Sequence, residues 1–293
     1  SPSIQIILLF FTTEAPILAG NAYPIGEFPK AEKSFSSYDY RDYLIKEDSS
    51  EYDYKYPFLL NLSIYINLPL LFIFISVSVF SLSSQPSILF SSIFSDSFNL
   101  HLAATRDSFT FLDSASLVIL SGLFIGMMGT VTGHELVHRT KNKFDMFIGN
   151  WLLAFSWDCT FAIEHVYGHH KNVATSIDPA TGKRGENIYK FIIKAIFIEH
   201  RDAWIIEYNR LKLAKRTLFS YKNRMLIGYL RSIAVTLLAY LVGGIIGMLM
   251  YLLISFIAKS LLELINFAEH YGLVRVEGQP VHPRHSWNSN ATL

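Results

Sequence analysis

Long apolar runs alternate with short polar segments over most of the chain. A membrane crossing takes about 20 helical residues, and five runs approach or exceed that length, one of them, 146–163, flanked by histidines. Residues 57–82 form the first, interrupted by Asn61, Asn67 and Pro69. Pro69 predicts a kink, which a helix bundle tolerates by re-satisfying the freed carbonyl. Residues 111–133 form the second and carry Gly122, Gly126, Gly129 and Gly133, which permits close helix packing. Residues 226–268 hold enough apolar length for two more, 226–242 and 245–268, broken at Gly243-Gly244. The first of these legs is short, and Arg231 is placed to snorkel at its inner end. Ile4–Phe11 is apolar but too short to cross, and it lacks the basic flank of a signal peptide; it reads as the remnant of a span cut by the start of the chain. Residues 21–56 are polar and read as a loop outside the hydrocarbon. Residues 83–110 are serine-rich, with Arg106 their only Lys or Arg. The pattern predicts an all-α, integral-membrane helical bundle in a single domain, residues 1–293.

Three of the boundaries between these runs carry histidine. His134-Glu135-Leu136-Val137-His138 follows the second run, Glu164-His165-Val166-Tyr167-Gly168-His169-His170 follows a run at 146–163, and Glu269-His270-Tyr271-Gly272-Leu273 follows the last. Six of the ten histidines lie in these boxes. Helical spacing would put His165 and His169 on one face, one turn apart, with His170 on the flank. A single crossing by residues 146–163, about 27 Å long, would put the first two boxes on opposite sides of the membrane. One shared site therefore requires an interfacial or re-entrant helix pair at 146–163, with Trp151 and Trp157 near headgroup level. The remaining spans then bring all three boxes out on one side.

Composition narrows the chemistry. The chain is 51% hydrophobic with a mean hydropathy of +0.30 and only 17% charged residues, a balance unusual for a soluble enzyme. Its net charge of +1 gives no sign of nucleic-acid binding. The single cysteine, Cys159, excludes an intrachain disulfide and an iron–sulfur cluster ligated by this chain alone. No G-x-G-x-x-G joins a strand to a helix, so electrons for any redox step come from a separate protein. Residues 164–225 hold twelve Lys or Arg, which assigns the histidine side to the cytoplasm. Within them Trp204, Tyr208 and Leu211 recur at helical spacing, as in a helix lying on the membrane or one packed under a cytosolic cap. Lys259 and Glu263, four apart near the end of the last run, pair or face the bundle interior.

Imidazole is a neutral ligand for zinc, copper or iron. Six converging imidazoles are too many for one tetrahedral zinc, and two metals sharing them is the simpler account. An oxygen-activating di-iron pair beside an apolar cavity fits. His134-Glu135-Leu136-Val137-His138 also matches the H-E-x-x-H zinc protease motif, a reading that leaves the second box unexplained. A membrane protein that binds metal without catalysis is a further reading.

Taken together, GHELVHR at 133–139, EHVYGHH at 164–170 followed by Val173-Ala174-Thr175 and Asp178-Pro179, and NFAEHYGL at 266–273 resemble the integral-membrane alkane 1-monooxygenases of the fatty-acid desaturase and hydroxylase superfamily. His285-Ser286-Trp287-Asn288-Ser289-Asn290 resembles the stretch before that family's last histidine box, which is absent here, so the chain reads as a fragment with an incomplete site and poor activity alone. The Glu-His-Tyr-Gly box points to alkane hydroxylases and their xylene-oxidising relatives rather than acyl desaturases, which remain the runner-up. The resemblance implies His134, His138, His165, His169, His170 and His270 as ligands of two non-haem iron ions. It implies dioxygen as co-substrate, a terminal methyl group as target, and a rubredoxin-type electron donor with its NAD(P)H-dependent reductase. Glu164, Glu269, Asp178 and His285 are candidates to fix the imidazole tautomers by hydrogen bonds. His101, His200 and His282 read as surface histidines, and no acid–base residue is assigned.

Overall fold

A computed structural model describes residues 57–84, 87, 90, 92 and 106–287. The readings for 4–11, 21–56, most of 83–110, His101 and the 288–290 segment fall outside these residues. All regular structure among the described residues is helical.

The first apolar run is two helices, α1 (Pro57–Tyr65) and α2 (Asn67–Leu82). The break sits at the expected distance from Pro69, whose ring crowds the carbonyl four residues back, that of Tyr65. The second run is α3 (Phe111–Phe124), a π-helical segment at Ile125–Val131, and α4 (Thr132–His138). It starts at a capping box in which Thr110 and Asp113 satisfy each other's backbone N–H, and it runs unbroken past residue 133 to the second histidine. Asn142 caps α5 (Lys143–Ala154), which leads through a turn at 155–160 into α6 (Phe161–Glu164), a π-helical segment at His165–His169 and α7 (His170–Asn172). Asn187 caps α8 (Ile188–Leu213) and Asn223 caps α9 (Arg224–His270).

α9 is a hairpin of two legs. Gly244 sits at φ 62°, ψ −157°, a conformation closed to L side chains. Ala239 and Gly247 would stand about 12 Å apart in a straight helix, yet a Cβ on Gly247 would lie 3.1 Å from the Ala239 carbonyl. Both legs also border the 155–160 turn: Trp157 Nε1 donates to Thr236 Oγ1 at 3.0 Å on the outgoing leg, and Ser255 Oγ donates to the Phe155 carbonyl at 2.8 Å on the returning one.

α1–α2, α3–α4 and α9 provide stretches long and apolar enough to cross a membrane: Phe58–Leu82, Phe111–His138 and Arg224–His270. Their shared core is built from Leu71, Ile75 and Val79 of α2, Ile125, and Val235, Tyr251 and Ile254 of α9. Their outer faces leave Phe58, Ile73, Leu112, Leu230, Leu237 and Leu253 exposed, the surface a bundle presents to lipid rather than to water.

Residues 146–163 do not form one helix. α5 runs back along α4 at close range: a Cβ on Gly133 would lie 3.1 Å from the Gly149 carbonyl, and one on Gly149 equally far from the Gly133 carbonyl. The chain then reverses at 155–160, where Trp157 takes φ 55°. Trp157 does not sit at the histidine end. Its partner Thr236 is about 18 Å along α9 from Arg224, and the bond to Thr236 satisfies the indole N–H at that depth. α8 buries a stripe at every fourth residue, Phe191, Ala195, Glu199, Ala203, Glu207 and Leu211, which packs it against the bundle. Tyr208, one step off the stripe, is exposed.

Candidate metal centre

The three histidine boxes meet at one end of the bundle. The His134 ring lies 4.6 Å from His138 and 4.5 Å from His165, His138 lies 4.9 Å from His170, and His169 lies 4.8 Å from His270, measured between ring centres. His134 and His138 share a face of α4 because they are four apart. His270 is delivered by the returning leg of α9.

The middle box is not α-helical as expected. In a π-helical turn residues five apart face the same way, and the His170 backbone N–H donates to the His165 carbonyl. His165 and His170 therefore pair, with their Nε2 atoms 3.0 Å apart. His169 stacks on His165, with ring centres 5.1 Å apart, and also lies beside His270. The result is a quartet, His134, His138, His165 and His170, whose candidate ligand nitrogens all lie within 4.8 Å of one another, with the His169–His270 pair beside it. A 3.0 Å separation suits two nitrogens that each reach one ion at about 2.1 Å.

The polar groups around the rings set which nitrogen is free. His169 Nδ1 faces both Asp178 oxygens, at 3.0 and 3.1 Å, and His270 Nδ1 donates to the His285 carbonyl at 3.1 Å. Both therefore keep Nε2 for a ligand or ion. Asp178 also accepts from Thr181 Oγ1 at 2.5 Å and from the Ala180 N–H at 3.3 Å. Thr181 in turn accepts from the N–H of Ala174, which sits at φ 61°. Burial works against the charge on Asp178, but His169 and these donors hold its carboxyl below the usual range. Burial likewise works against His169, and Asp178 more than offsets it, raising its pKa. Burial and the neighbouring imidazoles push His170 down to about 4 and His165 well below its ordinary value. Both stay neutral at physiological pH, the form that binds metal.

The other candidates divide. Glu164 is buried, which pushes its carboxyl up to about 8, yet it makes no hydrogen bond to an imidazole among the described residues. Glu269 approaches His270 on the Nε2 side, at 3.8 Å, so it cannot be the group that fixes the Nδ1 proton. His285 contributes its carbonyl, while its ring Nδ1 accepts from the His282 N–H at 2.9 Å. His282 is exposed, but His200 is not a surface histidine: it is half-buried and bonded to the Tyr229 hydroxyl. Arg275 went unnoticed in the sequence. It is buried and donates to the carbonyls of Val173, Lys171 and Gln279 at 2.8, 2.6 and 2.5 Å, tying the loop after His170 to the segment after His270.

A family profile for the fatty acid desaturases matches residues 114–293, a stretch that contains all six converging histidines. The chain belongs to the fatty acid desaturase family. Within this desaturase family it is similar to the alkane 1-monooxygenase of Pseudomonas putida, 39% identical over 184 residues, which cover 60% of this chain and 43% of that protein. It is similar to alkane 1-monooxygenase 1 of Pseudomonas aeruginosa, 34% identical over 178 residues, covering 59% and 46%. The xylene/toluene monooxygenase hydroxylase component XylM of Pseudomonas putida is 31% identical over 183 residues, covering 62% and 49%. The chain thus spans about half the length of the curated relatives it matches. As a desaturase-family bundle it has its histidine cluster at the ends of the apolar helices, where that family's profile and the sequence boxes coincide.

Proposed function

We propose that the protein of which this chain is part hydroxylates the terminal methyl group of alkanes, using dioxygen and two non-haem iron ions. The observation that carries this reading is the convergence of six imidazoles from three separated boxes, four of them as one compact donor set. The donor set fits iron: imidazole nitrogens gathered within 4.8 Å of one another, around the buried His165. His134, His138, His165 and His170 would hold one ion. His169 and His270 would contribute to the second, together with groups beyond those described. Iron held there would supply the activation of dioxygen. The chain's own part is to orient the rings through Asp178 and the His285 carbonyl and to hold His165 and His169 buried against the packed helices. The similarity to alkane and xylene/toluene monooxygenases favours hydroxylation over desaturation.

The electrons come from a separate rubredoxin-type protein and its NAD(P)H-dependent reductase. Lys183, Arg184, Lys212, Lys215 and Lys222 are exposed on the histidine side, a basic surface that suits an acidic donor and a cytoplasmic orientation. The zinc protease reading fares poorly. Its general base would be Glu135, whose Oε1 is held at 3.0 Å by Arg139 on an exposed face. The test is to express the full-length protein, count its iron, and supply octane with an electron donor. 1-Octanol with two irons per chain supports the proposal; octene alone, or zinc without iron, overturns it.

A further inference from the structure

Four buried charges meet where the 155–160 turn, α8 and the returning leg of α9 pack together. Lys259 Nζ lies 3.1 Å from Asp158 Oδ2, 3.1 Å from Glu199 Oε2 and 2.8 Å from Glu263 Oε1. The carboxylate side chains are 0%, 6% and 0% exposed. Among the described residues no second Lys or Arg pairs with any of the three. The other titratable groups facing the cluster are Glu164 from α6, Cys159 from the turn and His200 from α8, and none supplies a fixed positive charge. Three ionised carboxyls against one ammonium would leave an uncompensated negative charge in a low-dielectric interior. Such an excess is relieved by taking up a proton. Two details agree. Glu263 Oε1, though near the ammonium, has no aligned hydrogen-bond partner. Burial and the nearby Glu263 hold Glu199 well above the usual carboxylate range.

The cluster also lies on a route. A cavity of about 180 Å³ reaches Lys259 from the surface; Ser156, Thr160, His200 and Ser255 line it together with apolar side chains such as Leu252 and Phe256. That is room for several waters with polar partners. On the inner side α6, which packs against α8, ends at the buried Glu164, the residue before His165. The histidines, the cluster and the cavity are thus in sequence from the site to the outside.

We propose that Asp158, Glu199 and Glu263, gathered on Lys259, hold one shared exchangeable proton and supply it to the reaction at the histidine site. This rests on the hydroxylase reading above. That reaction consumes protons: an alkane, dioxygen, two electrons and two protons give an alcohol and water. His138 and His170 face the open side of the site, whereas His165 and His169 are buried, so protons that arrive through the packed helices need a built path. The proton belongs to the group of three rather than to one carboxyl, and the cavity recharges it.

Infrared spectroscopy of the full-length protein tests the store directly. At neutral pH a neutral-carboxyl C=O band that shifts in D2O is expected, and it falls in at least one of Glu199→Gln, Asp158→Asn and Glu263→Gln. Octane turnover tests the supply: Glu199→Gln keeps its iron but forms roughly tenfold less alcohol per dioxygen consumed, with hydrogen peroxide making up the difference. Absence of the band in the wild-type protein, or a band that survives all three substitutions, overturns the proposal. So does a Glu199→Gln enzyme that remains fully coupled. The infrared measurement needs no substrate, so a protein that fails to hydroxylate octane removes the hydroxylase reading while the proton store is still decided by its band.

Discussion

Asp178→Asn changes one charge and almost no volume. The Asp178 side chain is 0% exposed, so no water replaces what is lost. In the wild type it accepts from His169 Nδ1 at 3.0 Å, from Thr181 Oγ1 at 2.5 Å and from the Ala180 N–H at 3.3 Å. The amide keeps one acceptor for His169, and Thr181 can rotate its hydroxyl to face the new NH2 group. The loss is therefore the charge on the His169 contact. Hydrogen bonds to charged groups contribute about 1.5–3 kcal/mol, and removing a partner of this kind from a ligating histidine typically costs about 10–100-fold in metal affinity. The two ranges agree, since tenfold corresponds to about 1.4 kcal/mol. Iron titration of the full-length protein against a competing chelator measures the change, and the thermal transition of the apo protein reports the fold separately. An Asp178→Asn protein that binds both irons with wild-type affinity would refute the claim that this carboxylate sets the His169 tautomer.

Other outcomes follow from the same geometry. Gly149→Leu forces α5 away from α4, because a Cβ there already lies 2.9 Å from the Leu136 side chain and 3.1 Å from the Gly133 carbonyl; a loss of about 1–3 kcal/mol is expected in thermal unfolding, with weaker iron binding because the His134 and His165 segments part. Arg275→Met leaves three carbonyls without their donor, and a cost of about 3 kcal/mol or more should appear as faster proteolysis of the 171–182 loop. Glu207 is buried, yet the Arg210 and Arg224 hydrogen bonds outweigh that and lower its pKa. Its contribution is full above the unfolded carboxylate value and fades as pH falls through the folded one, so acid inactivation of the wild type below about pH 4.5 should be blunted in Glu207→Gln, which starts from a lower stability. Iron at about a hundred times its dissociation constant should stabilise the fold by about 2.7 kcal/mol, a gain read as a raised thermal midpoint and lost in His134→Ala.

Apolar length and histidine spacing made the bundle and the site legible because both are local properties of the chain. Residues 57–82 show the limit of that: Pro69 marks the break correctly, but only the clash with Tyr65 says where the helix stops. The requirement that the first two boxes share a face came from chemistry, and the 4.5 Å separation of His134 and His165 meets it. The π-helical turn at His165–His169 was not legible. Its i to i+5 bonding depends on what the surrounding rings pack against, as when Phe161 stacks on His165 with ring centres 4.2 Å apart, and no period in seven residues reveals it. That turn adds a partner: His165 and His169 stack, as helical spacing predicts, and the turn also brings His170 Nε2 to 3.0 Å from His165 Nε2. Asp158 left a signal that could have been used, a carboxylate inside an apolar stretch, which is costly to bury and rarely idle. Glu199 left none, since one acidic residue on a basic amphipathic helix is ordinary until the fourfold stripe from Phe191 to Leu211 turns it inward. Which histidines gather was therefore written in the sequence, while their pairing and the buried charges behind them arise only from packing.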